Sequence, residues 1–213
     1  MNVATVRQSI LLAVYEAGRV CYCTAAHSDG RRQSNLAPAL NSLLRLLVDI
    51  SVALRLDLEK VCVAKMKLNH AKYPNKLCGA IIQKYTVHSG STGILRSNQT
   101  ISPWVEESAA RPKWTEQFYG MGLASITAMS TTFVKTRQWE IHDTPTNLAL
   151  ALSSEVGELA DVLAWSGDCI PEDDKERCLD ALAQELADVT IILVRLASLT
   201  KTKLLPDRHG RNS

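Results

Sequence analysis

The segment from Asn147 to Trp165 reads NLALALSSEVGELADVLAW, an almost wholly apolar helix pattern interrupted by Glu155, Glu158 and Asp161. Spaced three apart, these acids fall on one helical face on adjoining turns. Leu152, Val156, Leu159, Val162 and Leu163 surround them, so the face is no solvated stripe and negative charge enters the interior at least in part. Carboxylates buried without partners are costly, so any fold this chain adopts must bring cations to them. A second pair, Glu185 and Asp188, stands in the equally apolar run ALAQELADVTIILVRLASL. If the two helices pack antiparallel across a loop at Gly167, four carboxylates converge from facing helices, as in bundles that build carboxylate metal sites. Taken singly, either pair is ordinarily a solvated face; two pairs on successive apolar helices make a metal site an equal reading. Oxygen donors without histidine or cysteine at ligand spacing favour Mg²⁺, with Mn²⁺ the alternative, over zinc.

The rest of the chain also reads as helix. Leu43, Leu46, Leu47, Ile50 and Leu54 recur at three and four, as do Leu182, Leu186, Val189, Leu193 and Leu196, while strand alternation and hairpin dipeptides are scarce. Helices are expected near 4–25, 36–54, 57–70, 115–138, 146–165 and 174–200, giving an all-α chain. Residues Thr86 to Pro103, TVHSGSTGILRSNQTISP, have linker composition, and Gly167, Pro171 and an acidic cluster mark a second break. The expected organisation is a first domain over 1–85, a linker over 86–113 and a second domain over 114–213. A short echo links Ser9–Cys23 to Asn147–Leu163, each with a Leu-rich start and an E-x-G-x core.

Composition narrows the function classes. With 24 basic and 22 acidic residues the net charge is +2, too small for a protein whose binding is driven by nucleic-acid phosphates. The longest uncharged stretch, 18 residues from Gln117 to Val134, carries three threonines, two serines and two glycines, so no membrane span is expected. Cys21, Cys23, Cys62, Cys78, Cys169 and Cys178 form no CxxC pair, and reduced thiols in an intracellular, first of all cytoplasmic, compartment are expected. Arg7 ahead of the apolar run Ile10 to Tyr15 leaves mitochondrial targeting as the alternative, against which Glu16 speaks.

The pairs Glu155-Val-Gly-Glu158 and Glu185-Leu-Ala-Asp188, with 26 residues between them, resemble the E-x-x-E … E-x-x-D signature of the MazG-type all-α NTP pyrophosphohydrolases. The run from Arg137 through Trp139, His142, Pro145 and Asn147, and then Trp165, is similar to the dCTP pyrophosphatase branch of that family. That branch reads W-x-x-F-H-x-P-x-N-L, and ungapped alignment puts His142 at its phenylalanine and Asp143 at its histidine; its tyrosine four residues past the last aspartate is Ile192 here. Its K-M-x-x-N-x-x-R/K-Y-P motif is missing after Leu199 and stands instead in the first half, at Lys65, Met66, Asn69, Lys72, Tyr73 and Pro74, with Lys84 and Tyr85 further on. Where the first half aligns with the second, Glu16 is kept but the partner positions hold Arg19, Ala39 and Ser42.

The resemblance implies two MazG-like repeats in one helical bundle, an internal pseudo-dimer whose first copy lost its carboxylates and whose second lost its basic segment. It implies hydrolysis of a nucleoside triphosphate, of a dCTP-like pyrimidine kind, to the monophosphate and pyrophosphate. Glu155, Glu158, Glu185 and Asp188 would hold Mg²⁺ and act in catalysis, Lys65, Asn69 and Lys72 would contact phosphate or sugar, and Trp139, His142 and Trp165 would form the base pocket. Each has a plainer role open to it. The tryptophans fit a core, His142 fits a cap for the helix starting near Asn147, and Lys65, Asn69 and Lys72 fit a solvated basic face. Members of the family associate as dimers or tetramers, so a homo-oligomer is a further expectation. The competing class is an inactive scaffold within a protein or ribonucleoprotein assembly, the only setting in which nucleic acid enters as a partner.

Overall fold

The computed structural model describes residues 3–28, 35–73, 113–166 and 170–205. Pro74, Lys84, Tyr85, Gly167, Cys78, Cys169, residues 86–112 of the expected linker and residues 206–213 lie outside the described residues. The described residues form helices α1 (Val3–Ser28), α2 (Leu36–Ala53) and α3 (Leu58–Lys72), then a short α4 (Trp114–Gln117) that runs through a π turn (Phe118–Gly122) into α5 (Leu123–Lys135). A 3-10 turn (Trp139–His142), α6 (Pro145–Ala164) and α7 (Glu172–Leu199) complete them. The chain is all-α, as its periodicity requires, with no strand among the described residues.

The hairpin α1–α2 packs against the hairpin α6–α7, chiefly through α1 on α6 and α2 on α7, while α3 and α5 lie against the far side of α7. Leu40, Leu43, Leu44 and Leu47 of α2 and Leu182, Leu186, Val189, Leu193 and Leu196 of α7 are completely buried and fill the centre. Each such side chain is worth about 2 kcal/mol of burial. Helix α2 is long and apolar enough to cross a membrane, and half of it is buried inside this bundle. Cys21, Cys23, Cys62 and Cys178 are free thiols.

Two left-handed residues set the path toward the site. Arg55, at φ 60°, reverses the chain after α2, and the Asp57 side chain, accepting from the Lys60 amide at 3.2 Å, starts α3 within three residues. Gln138, at φ 57°, ends the helix expected to run to 138 three residues early and turns Trp139 inward. The Thr144 side chain then accepts from the Asn147 amide at 3.1 Å, with Pro145 in the first turn, so α6 is capped by Thr144 and not by the histidine.

Arg137 fastens the two halves together. Although charged, it is 1% exposed. Its Nε donates to the Tyr73 carbonyl at 2.7 Å, its Nη1 to the Phe133 carbonyl at 3.0 Å, and its Nη2 meets His70 Nδ1 at 3.3 Å. The guanidinium also lies 3.7 Å from the Phe133 ring centroid. Burial and this cation hold the His70 pKa below its ordinary value, which keeps the ring neutral as an acceptor. Replacing Arg137 by Met keeps the volume but strips the end of α3 of its partners. The expected loss is about 3 kcal/mol, or roughly 6–12 °C in the melting midpoint, read by thermal denaturation.

Candidate functional site

Three helices meet around one cavity of about 280 Å³. From α6 come Glu155 and Glu158, from α7 Glu185 and Asp188, and from α3 Lys65, Asn69 and Lys72, each set spaced three or four apart and therefore on one face. One oxygen from each of Glu155, Glu158 and Glu185 can lie within 4.8 Å of the other two. Asp188, also lining the cavity, is engaged by Lys65, whose Nζ stands 2.6 Å from Oδ2, and by a hydrogen bond from Asn69. Asp161, on the same α6 sequence stripe, is exposed and does not line the cavity.

The electrostatics follow from this crowding. Burial first, then Asp188, Glu158 and Glu185, raise the Glu155 carboxyl to about 8, with Lys65 opposing. Burial and Asp188 raise Glu185 to about 7. Asp188 is also raised, by burial, against the pull of Lys65 and Lys72. Four acids face two lysines, so the full carboxylate form is two charges short of neutrality. Glu185 Oε2 is buried with no hydrogen-bond partner. A hard divalent cation coordinated by carboxylate oxygens answers both deficits, so the residues present fit Mg²⁺ or Mn²⁺.

Farther along α7 the cavity changes character. Phe133, Trp139 and Tyr73 form its wall, with Trp139 edge-on to Tyr73 at 5.4 Å and to Phe133 at 5.7 Å between centroids. Trp139 is thus both packed and at the cavity. The other two expected pocket residues are not brought there. His142 is exposed, and its carbonyl, accepting from Asn147 Nδ2 at 2.9 Å, is what it contributes. Trp165 is 92% exposed beyond the end of α6, in neither the core nor the cavity of this chain.

One charged pair was not anticipated. Asp143 and Arg195 both line the cavity and form an ion pair through Oδ2 and Nη2. A signal for Arg195 exists in the sequence: it is the lone charge in VTIILVRLASL and sits three, four and three residues along the face Glu185, Asp188, Ile192, Arg195.

Over 80 residues the chain is 44% identical to a rat (Rattus norvegicus) protein named dCTP pyrophosphatase 1, covering 36% of this chain and 46% of that one. The human (Homo sapiens) protein of that name is 40% identical over 84 residues, or 38% and 49% of the two chains. The bovine (Bos taurus) one is 40% identical over 86 residues, or 38% and 50%. The chain therefore spans about half the length of the curated relatives it matches. No family model matches it, and no solved structure matches it significantly.

The raised carboxylates make stability depend on pH. Glu155 and Glu185 hold protons in the folded chain up to about 8 and about 7, against an ordinary 4.5, so between those limits the folded state binds more protons than the unfolded one. Their contribution to stability therefore falls as pH rises through that window. In chelator the melting midpoint is expected to drop by several degrees from about pH 5 to about pH 8. Mn²⁺ or Mg²⁺ should restore it at the higher pH and do little at the lower, where protons occupy the same oxygens. A midpoint indifferent to pH and metal would contradict the cluster's electrostatics.

Proposed function

We propose that this chain is a MazG-like, metal-dependent nucleotide pyrophosphohydrolase that converts a nucleoside triphosphate and water to the monophosphate and pyrophosphate. The observation carrying this reading is the juxtaposition of an acidic trio on α6 and α7 with a basic face on α3 in one cavity. The names of the relatives support a deoxycytidine-type pyrimidine as substrate. We further read α1–α2 and α6–α7 as two repeats of one hairpin, related as halves of a pseudo-dimer.

Glu155, Glu158 and Glu185 would hold Mg²⁺, with Asp188 beside them. The bound cation would neutralise phosphate charge and lower the pKa of a water. The chain's own residues do the rest. Lys65 and Lys72 draw the phosphates to the α3 side, and Lys65 exchanges part of its bond to Asp188 for a phosphate oxygen. Asn69, already hydrogen-bonded to Asp188, fixes that carboxylate and offers its amide to phosphate or sugar. A carboxylate oxygen of the cluster accepts the proton of the attacking water as its oxygen bonds to the α-phosphorus and pyrophosphate departs. Trp139, Phe133 and Tyr73 give the base an apolar wall and exclude water from the far end.

Glu158→Gln removes one charge at nearly constant volume. Pyrophosphate release from a panel of dNTPs and NTPs with Mg²⁺ is expected to fall about 100-fold or more in this variant. Lys65→Ala should raise KM more than it lowers kcat. No release from any substrate by the folded protein with Mg²⁺ present would overturn the hydrolase reading and leave a binding or scaffolding descendant.

A further inference from the structure

The Asp143–Arg195 pair is too deeply placed to be a surface bridge, with side chains 11% and 12% exposed. Asp143 follows the 3-10 turn, and Arg195 lies on α7 seven residues past Asp188, about 10 Å along the axis. That is the reach from the phosphates of a nucleotide to its base. Both residues line the cavity of the acidic cluster and also a neighbouring one of about 190 Å³, so the pair forms the wall between them. Arg195 Nη1 donates to the Ser130 carbonyl at 3.1 Å, and Nη2 is taken by Asp143. Its Nε is buried with no hydrogen-bond partner. Burial depresses the Arg195 pKa without discharging it, so the guanidinium remains a committed donor beside a committed acceptor.

We propose that the Asp143–Arg195 pair reads the base of the bound nucleotide and selects an aminopyrimidine over its keto counterpart. The inference rests on the nucleotide reading above and adds the residues that set specificity. Cytosine presents an amino donor next to ring-nitrogen and keto acceptors. Asp143 accepts from the amino group, as carboxylates do from the cytosine 4-amino group elsewhere, and the free Arg195 N–H donates to the acceptor edge. Uracil turns a keto oxygen toward the carboxylate, setting two acceptors against each other away from water, which rejects it.

Binding of the α,β-imido analogues of dCTP and dUTP, which cannot release pyrophosphate, separates this from the hydrolase question. Calorimetry with Mg²⁺ on the intact chain is expected to show the cytosine analogue bound about 10- to 100-fold more tightly, a preference that Asp143→Asn reduces to near parity. A pair that only ties the segment between the 3-10 turn and α6 to α7 would weaken both analogues alike and leave their ratio unchanged, which would overturn the proposal while leaving nucleotide binding intact. Binding of neither analogue would overturn both readings. Should Asp143→Asn melt before it can be assayed, Arg195→Lys keeps the charge but loses Nε, and it should cost the cytosine analogue more affinity than the uracil one. Equal losses would again overturn the assignment.

Discussion

Glu155, Glu185 and Asp188, drawn out of water in part or in full beside the exposed Glu158, repel each other, and most of what surrounds them answers that cost. Attraction between unlike charges grows several-fold as the surroundings dry out, so a cation delivered to this cleft counts for far more than one at the surface. Helix α6 offers none. The lysines come from α3, on the other side of residues 86–112, and Lys65 reaches Asp188 at 2.6 Å because the turn at Arg55 sends α3 back along α7 and Arg137 holds its end. The buried arginine, the left-handed turns and the aromatic wall thus all position α3 against the acids. Two lysines still leave the cluster short of neutrality; with burial, the crowding of acids raises Glu185 to about 7 and Glu155 to about 8, and the residues fit a divalent cation.

Much of this was legible in the chain because periodicity and buried charge are local signals. Acids at 155, 158, 185 and 188 inside leucine-rich sequence make a metal site as good a reading as a solvated face before any fold is known, whereas Lys65, Asn69 and Lys72 stand out only through the resemblance to the family motif. What escaped depends on single backbone conformations and on distant partners. Nothing in the polar stretch Thr136–Gln138 marks Gln138 as left-handed, yet that residue ends α5 and decides that Trp139 faces inward while His142 faces out. Thr144 outcompetes His142 as the cap because a short hydroxyl beside Pro145 reaches the Asn147 amide directly. Trp165, in an apolar helix end, looks buried by composition, but α6 stops at Ala164 and leaves it in solvent. Arg195 was visible as an isolated charge and became meaningful only when the chain folded Asp143 onto it.

The two hairpins show how little chemistry separates a closed helical face from an open one. On α1, Glu16 is followed three residues on by Arg19, and the guanidinium meets both its carboxylate oxygens at 2.9 and 2.8 Å. That pair is neutral, partly solvated and satisfied within its own helix, so it asks nothing of its neighbours and is worth little to stability. On α6 the same spacing carries Glu155 and Glu158, with no basic residue on the helix to close it. Because the second position holds an acid, the demand for positive charge turns to α3, and the trio has the geometry to hold a cation as well. Replacing an acid by a base at one position of an i, i+3 pair therefore decides whether a helix looks inward for its partner or outward for a ligand. Among the described residues the acidic trio of Glu155, Glu158 and Glu185 is the one group arranged to hold a cation, and the basic face of α3 is spent on it and not on α1.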